Sequence, residues 1–326
     1  MFEKIISIEN LLLAWQEFLR GKRHRLDAQL FGVRLMDNIF ALHHDLSYHT
    51  YRHGGYQAFN ISDPKPRLIH KAEVRDHLLH HAVHHVLYPF FDQLFIFDAY
   101  SCRLSKGTHK AIKRLYEFYW RVSKNSTKTC WALKGDIRKF FASIDHGVLL
   151  NILQARIADE NMMWLLSEII SSFHSSQTGK GLPLGNLTSQ LLSNIYMNEF
   201  DQFVKHGLKV KYYIRYADDF VILSTNKDEL QQMIVAIQDF LMRKLKLELH
   251  PDKLFLQTFS SGLDFLGWVN FVDHRVLRGT TRKRLFSKLG DHPTLATLNS
   301  YQGLLRHGNA KKLTAKLGNF QQIMIY

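Results

Sequence analysis

The sequence predicts an α+β protein, and three features carry that expectation. The stretch "KVKYYIRYADDFVILST" (209–225) alternates Val210, Tyr212 and Ile214 with Lys211, Tyr213 and Arg215, breaks at Asp218 and Asp219, and resumes with Phe220, Val221, Ile222 and Leu223. That is the pattern of a β-hairpin with two carboxylates at its turn. A second apolar run, in "CWALKGDIRKFFASID" (130–145), ends on another acid, Asp136. Long stretches on either side repeat apolar residues at helical spacing, which places helices around a short sheet.

Taken in order, residues 8–20 and 28–46 read as helices separated by the basic run Lys22, Arg23, His24 and Arg25, a helical N-terminal region expected over 1–54. In "AFNISDPKPRLIH" (58–70), Pro64 and Pro66 stand beside Lys65 and Arg67, and the backbone limits around proline favour an extended basic element leading into a strand. Helices are expected from Lys71 to Phe91 and from Thr108 to Ser123. The strand ending near Asp136 should be followed by a turn and a helix around 146–158, then by helices at 161–172 and 186–205 flanking a glycine-rich turn. After the hairpin come a helix over 227–244, the segment "LKLELHPDKLFLQTF" and a short strand "LDFLGWVNFV" (263–272). From Arg275 the chain reads as basic and helical.

Composition limits the function classes. A chain of 326 residues that is 46% hydrophobic can bury a substantial core. Its 43 Lys and Arg against 29 Asp and Glu, a formal net charge of +14, point to a polyanionic partner, nucleic acid ahead of an anionic membrane surface. Two cysteines, Cys102 and Cys130, are too few for a disulfide framework or a cysteine-rich zinc site. The first residues, "MFEKIISIENLLLAWQEFLRGKRHR", mix charges and a Trp into the apolar stretch, so neither a signal peptide nor a membrane span is expected, and a cytoplasmic protein is.

Aspartate is a good turn former, yet Gly or Asn would make the turn more cheaply and Tyr216-Ala217 adds no turn chemistry. If the strand ending at Asp136 lies beside the hairpin, three carboxylates converge at one sheet edge. Buried like charges raise one another's pKa and call for neutralising cations. Hard oxygen ligands select Mg²⁺ or Mn²⁺. Two such ions about 4 Å apart can activate a 3′-hydroxyl and stabilise a leaving pyrophosphate. A basic chain with such a site is a polymerase or nuclease candidate.

The stretches "GDIRKFFASIDH" (135–146), "GLPLGNLTSQLLSNIYMNEFD" (181–201), "YIRYADDFVIL" (213–223), "LKLELHPDKLFL" (245–256) and "LDFLGW" (263–268) resemble the ordered palm motifs of prokaryotic reverse transcriptases of the group II intron, retron and diversity-generating retroelement branch. With "PKPRLIHKAEVRDHLLHHAV" and "YSCRLSKGTHKAI" upstream, the resemblance covers residues 55–270. It implies a right-hand polymerase: fingers over 55–127, a palm with a ferredoxin-like sheet over 128–270 carrying an insertion near 150–180, and a thumb over 271–326. It also implies catalytic roles for Asp136, Asp218, Asp219 and Lys253, the last protonating pyrophosphate, with Asp136, Asp218, Asp219 and the Ile137 carbonyl as ligands of two Mg²⁺ ions. Adjacent side chains diverge on extended backbone, so Asp219 should ligate less directly.

By the same resemblance, Lys65 and Arg67 meet the triphosphate, Phe141 lies beneath the sugar and excludes a 2′-hydroxyl, and Leu184, Gly185 and Gln190 border the nascent base pair. Phe265, Leu266, Gly267 and Trp268 form a primer grip. Arg275, Arg278, Arg282, Lys283, Arg284 and Lys288 grip the template–primer backbone from the thumb, or else form an ordinary solvated helix face. The implied partners are template RNA, primer and cDNA, dNTPs, a structured non-coding RNA and a small accessory protein.

Leu184 and Gln190 depart from the commoner Gln-Gly start and Ser-Pro finish of their motif and resemble the diversity-generating enzymes, which are linked to error-prone copying of adenines. Reverse transcriptases of antiphage defence systems are the rival. An RNA-dependent RNA polymerase sits poorly with Phe141 and the Tyr-Ala-Asp-Asp sequence, and a catalytically dead RNA-binding scaffold has no reason to keep the acids. His77, His80, His81, His84 and His85, with Asp76, share a predicted helix; an RNA-facing or solvated surface is expected there rather than zinc.

Overall fold

The computed structural model describes residues 1–62, 66–291 and 294–323. Four helices open the chain, α1 (Phe2–Ile6), α2 (Ile8–Phe18), α3 (Leu26–Val33) and α4 (Leu35–Ser47), followed by the hairpin β1 (Tyr56–Ile61) and β2 (Arg67–Ala72). Next come α5 (Val74–Asp92), α6 (Thr108–Val122), β3 (Trp131–Asp136), α7 (Phe140–Ser143), α8 (His146–Gln154), α9 (Glu160–Ser171) and α10 (Leu187–Gln202). The hairpin β4 (Tyr213–Tyr216) and β5 (Asp219–Ser224) leads to α11 (Lys227–Leu245), β6 (Phe255–Thr258), and a small sheet of β7 (Leu263–Phe265), β8 (Trp268–Asn270) and β9 (Arg275–Leu277). Helices α12 (Gly279–Asp291), α13 (Leu295–Leu305) and α14 (Lys311–Ile323) follow.

Side-chain caps set several boundaries. Asp145 accepts the Val148 N–H at the start of α8, Asp159 accepts the Met162 N–H at α9, and Asn226 accepts from Asp228 and Glu229 at α11. Three expectations are corrected. The helix expected from Lys71 starts at Val74, because Arg67–Ala72 pair along their whole length with Tyr56–Ile61. The segment "LDFLGWVNFV" is two strands: Phe265 pairs with Trp268, leaving Leu266 (φ 53°) and Gly267 (φ 87°) as a two-residue loop of the positive-φ kind that hairpins favour. Arg275 then belongs to β9, paired with β8, and the helical tail starts only at Gly279.

The main sheet has the order β4-β5-β3-β6 with every pairing antiparallel. Its chain path is strand, helices, two strands, helix, strand, which with that order is the ferredoxin-like arrangement expected. Both faces are covered. Leu133, Tyr213, Phe220 and Ile222 enter a large core with the N-terminal helices, α5 and α8 to α11. Ala132, Ile214, Val221 and Leu223 enter a second core with α6, β7 to β9 and the C-terminal helices. The alternation of the hairpin therefore marks two buried faces, not one buried and one wet.

Gly135 sits in β3 directly opposite Phe220, one residue before Asp136. A Cβ there would lie 2.4 Å from Phe220 Cζ, so only glycine lets the ring cross the strand. Gly135→Ala should cost about 1 to 3 kcal/mol of stability, read as a lower denaturation midpoint; a midpoint equal to the parent's would contradict this packing.

Candidate active site

Two pieces of backbone build the acidic end of the sheet. The β4–β5 register ends at Tyr216 and Asp219, so Ala217, at φ 55°, and Asp218 form the turn. Asp136 ends β3 directly opposite Asp219, and the Ile137 N–H donates to the Asp218 carbonyl at 3.2 Å. Strand end and turn are thus tied by main chain, independently of any side chain.

Two lysines answer these acids. Lys253 Nζ donates to Asp136 Oδ1 at 2.8 Å, and Lys134 Nζ stands 3.5 Å from Asp219 Oδ1. Burial pushes the Asp218 carboxyl up and the Asp136 charge adds to it, against the opposing fields of Lys253 and Arg67. Burial likewise pushes Asp219 up to about 7, with Lys134 opposing and Asp136 and Asp218 reinforcing.

The three acids meet at one sheet edge, close enough for the Asp136 charge to act on both Asp218 and Asp219, although among the described residues no group of three or more Asp, Glu, His or Cys side chains is placed to hold one metal ion together. Asp136 and Asp219 are each drawn to their own lysine instead. The oxygen donors still fit a hard divalent cation. Asp218 is a carboxylate whose ionisation burial and the neighbouring Asp136 charge oppose, and added positive charge is what relieves both effects.

The residues expected on the nucleotide side are brought together by main-chain bonds. Leu182 N–H donates to the Phe141 carbonyl and Gly181 N–H to that of Ile144, each at 2.8 Å, which fastens the 181–190 loop to the segment after β3. The same loop docks on β2: His70 N–H donates to the Leu184 carbonyl at 2.9 Å, and Asn186 Nδ2 donates to the His70 carbonyl at 3.1 Å. Gly185 has φ +111°, and a Cβ on it would meet Ile69 Cγ2 at 2.8 Å. Arg67, exposed at the start of β2, is close enough to act on Asp218. Gln190 is half-buried in the first turn of α10. Lys65 lies outside the described residues.

Phe265 and Trp268 are buried in the second core, while Leu266 and Gly267 form the turn between them. Of the expected backbone-gripping cations, Arg275 and Arg278 are committed to the protein. Arg275 donates to the His307 carbonyl with its guanidinium over Trp268, and Arg278 pairs with Asp264, with Nε 2.8 Å from Oδ1. Arg282 and Lys283 are exposed on α12, and Arg284 and Lys288 line a cleft shared with α13.

Sequence reading missed the support beneath the turn. Arg215 is 1% exposed, and its Nε and Nη2 reach Asp201 Oδ1 and Oδ2 on α10 at 2.7 and 2.6 Å. Its Nη1 donates to the Ala217 carbonyl at 2.9 Å, and Tyr213 Oη donates to Asp201 at 2.6 Å. One buried ion pair therefore holds the strained residue before Asp218. The available signal was Arg215 inside an apolar strand with Asp201 ending the preceding helix.

His80 of α5 is likewise buried and the helix's other four histidines are half-buried, which corrects their reading as a solvated or RNA-facing surface. His80 is buried against Thr188 and His53, and His85 reaches Glu17 Oε2 at 2.6 Å. Burial pushes His77 and His84 down to about 4, so they are neutral near pH 7.

A strand-end aspartate and an aspartate hairpin on a ferredoxin-like sheet define the palm site of the right-hand polymerases. The family described as "Reverse transcriptase (RNA-dependent DNA polymerase)" matches residues 62–269, and the chain belongs to it. Protein YkfC of Escherichia coli K12 is 26% identical over 258 residues, covering 68% of this chain and 66% of that protein. The group II intron-encoded protein LtrA of Lactococcus lactis subsp. cremoris is 25% identical over 276 residues, covering 64% of this chain and 44% of LtrA. The chain thus spans less than two thirds of the length of either relative. Telomerase from Candida tropicalis, solved with a fragment of telomeric RNA, shares the fold at a TM-score of 0.53 and 14% identity, over 73% of this chain and 48% of that one.

Two predictions follow from the buried charges. Arg215→Lys keeps the charge but loses the bidentate pairing and the bond to Ala217, and should cost about 2 to 3 kcal/mol in denaturant unfolding; an unchanged midpoint would show that Asp201 needs only a charge.

Asp219 keeps its proton up to about 7 when folded, whereas an unfolded aspartate releases it near pH ~4. The stability from that proton is complete below the unfolded value and is lost as pH rises through the folded one. Asp219→Asn cannot ionise, so in metal-free buffer its melting temperature should gain on the parent's as pH goes from about 4 to about 7. A constant difference across that range would sink the assignment.

Proposed function

We propose that this chain is an RNA-directed DNA polymerase that extends a primer along template RNA by nucleotidyl transfer from dNTPs. The observation that carries the reading is Asp136 at the end of β3, held in register with the β4–β5 hairpin whose turn presents Asp218, inside the segment that matches the reverse transcriptase family. Divalent ions, Mg²⁺ or Mn²⁺, would be held by Asp136 and Asp218 with the Ile137 carbonyl, and Asp219 in support, and would supply activation of the attacking hydroxyl and positive charge against the phosphates.

This chain's residues do the rest. Phe141 presents a ring where a 2′-hydroxyl would fall, Lys65 and Arg67 meet the triphosphate, and Lys253 carries a proton towards the leaving pyrophosphate. In this reading residues 55–127 act as fingers, 128–270 as palm and 271–326 as thumb, with Phe265 to Trp268 positioning the primer. Asp218→Asn should leave the fold intact and abolish dNTP incorporation on an RNA template. Persistent incorporation by that variant would overturn the catalytic assignment.

Within this class we favour the error-prone enzyme of a diversity-generating retroelement over a defence enzyme. What supports this is Leu184, an apolar side chain in a loop docked by main chain on both β2 and the segment that carries Phe141. A polar contact missing beside the templating base is worth about 1 to 2 kcal/mol, or roughly tenfold in selectivity. Leu184→Gln should restore part of the accuracy opposite template adenine, read by sequencing cDNA made on a defined RNA. Equal and low error rates at adenine from parent and variant would favour the defence role.

A further inference from the structure

The far end of the palm sheet carries a second concentration of positive charge. A cleft there is lined by Arg121 from the last turn of α6, Lys124 and Lys128 from the loop after it, and Lys209 and Lys211 from the segment leading into β4. All five are exposed, and one carboxylate, Glu229, shares the lining. Among the described residues none of the five forms an ion pair, whereas Glu229 accepts a hydrogen bond from Ser224 Oγ at 2.9 Å.

The cleft is built rather than frayed. Lys124, Asn125 and Ser126 all have φ between 47° and 65°, a run that L residues adopt only under constraint. The constraint is visible: Lys128 N–H donates to the Ser123 carbonyl at 2.8 Å, Asn125 N–H to that of Trp120 at 3.0 Å, and Ser126 N–H to Ser123 Oγ at 3.0 Å. Across from the loop, Lys205 Nζ donates to the Lys211 carbonyl at 2.9 Å and steadies the approach to β4. Tyr212 lines the cleft between Lys211 and Phe118.

This surface is not the template–primer cleft. Ser224 lines it and lies at the opposite end of β5 from Asp219, and at ~3.3 Å per residue that separates it from the acids by roughly 15 to 20 Å. β4 is the edge strand of the sheet, bridged among the described residues only at Arg215 by the 98–100 segment, towards the acidic end rather than towards this cleft.

We infer that this cleft is a second RNA-binding site, which holds the phosphate backbone of a folded part of the RNA while the active site works elsewhere on it. Unpaired lysines around a concave, polar cleft suit phosphate oxygens, and each contact releases counterions from the RNA. The inference rests on the polymerase reading in one respect, that the partner is RNA.

The test uses the full chain preloaded with a short RNA–DNA template–primer, so that the catalytic cleft is occupied, and a fluorescein-labelled RNA hairpin followed by anisotropy across a KCl series. The parent should bind the hairpin. Lys124→Glu/Lys128→Glu/Lys211→Glu should bind it about tenfold or more weakly, with a log–log salt slope shallower by about 2 to 3, while extending the template–primer at the parent's rate. A control with the same charge change elsewhere, Lys4→Glu/Arg156→Glu/Lys244→Glu, should lose much less.

Absence of hairpin binding by the loaded parent, equal loss in the control, or an unchanged slope in the cleft variant would each overturn the second site. A parent that binds the hairpin but extends no primer would instead overturn the polymerase reading. Matching circular dichroism melts establish that both variants are folded.

Discussion

The antiparallel pairing of β3 with β5 is the constraint on which the candidate site depends. Because Trp131 to Asp136 run in register with Ser224 to Asp219, the acid ending one strand is delivered to the acid beginning the other. A slip of one residue would send every side chain of β3 to the opposite face, turning Leu133 out of the large core and Asp136 towards it. Both faces of this sheet are packed, so both faces oppose such a slip. The Ile137 to Asp218 bond then continues the pairing past the end of the ladder and includes the turn.

Placing acids so close opposes folding, and the structure offsets the repulsion with charge and fixes the turn with a separate buried pair. Lys134 and Lys253 bring positive charge to Asp219 and Asp136 directly. Beneath the turn, Arg215 and Asp201 take no part in that neutralisation, because they satisfy each other. Their contribution is geometric: a buried, doubly bonded pair has one arrangement, and the Ala217 carbonyl is part of it. Losing one partner would leave an uncompensated charge in the core, so the hairpin and α10 stand or fall together.

Much of this was legible in the sequence, and the parts that were not share a cause. The hairpin, the strand ending at Asp136 and the helices near 161–172 and 227–244 rest on local pattern, and they appear where the pattern puts them. The β7–β8 turn at Leu266-Gly267 was missed because a lone Gly in an apolar run reads equally well as strand. The α5 histidines were read as a solvated or RNA-facing surface, and Arg215 was given no role, because polarity is local, whereas their partners Glu17, Thr188 and Asp201 are brought to them by tertiary packing. Cations of the C-terminal part were misjudged for the same reason: Asp264 and the His307 carbonyl, which hold Arg278 and Arg275, are invisible to a charge count. The three acids were found correctly as neighbours, but a list of carboxylates does not reveal which lysine each one faces.

The 181–190 loop joins the acidic end of the sheet to the first hairpin. It is bonded on one side to the segment carrying Phe141 and on the other to β2, which begins at Arg67. Gly185 allows the loop to approach Ile69 closer than any side chain would permit. Asn186 and Thr188, buried just beyond, bond to the His70 carbonyl and to His80 of α5. A substitution at 184 therefore changes the side chain that the loop presents without changing what holds the loop, since the hydrogen bond made there is main chain. Positions whose backbone is fixed by neighbours can vary their side chains freely. That separation of scaffold from contact surface explains how one palm can carry either a polar or an apolar residue at this point and still fold.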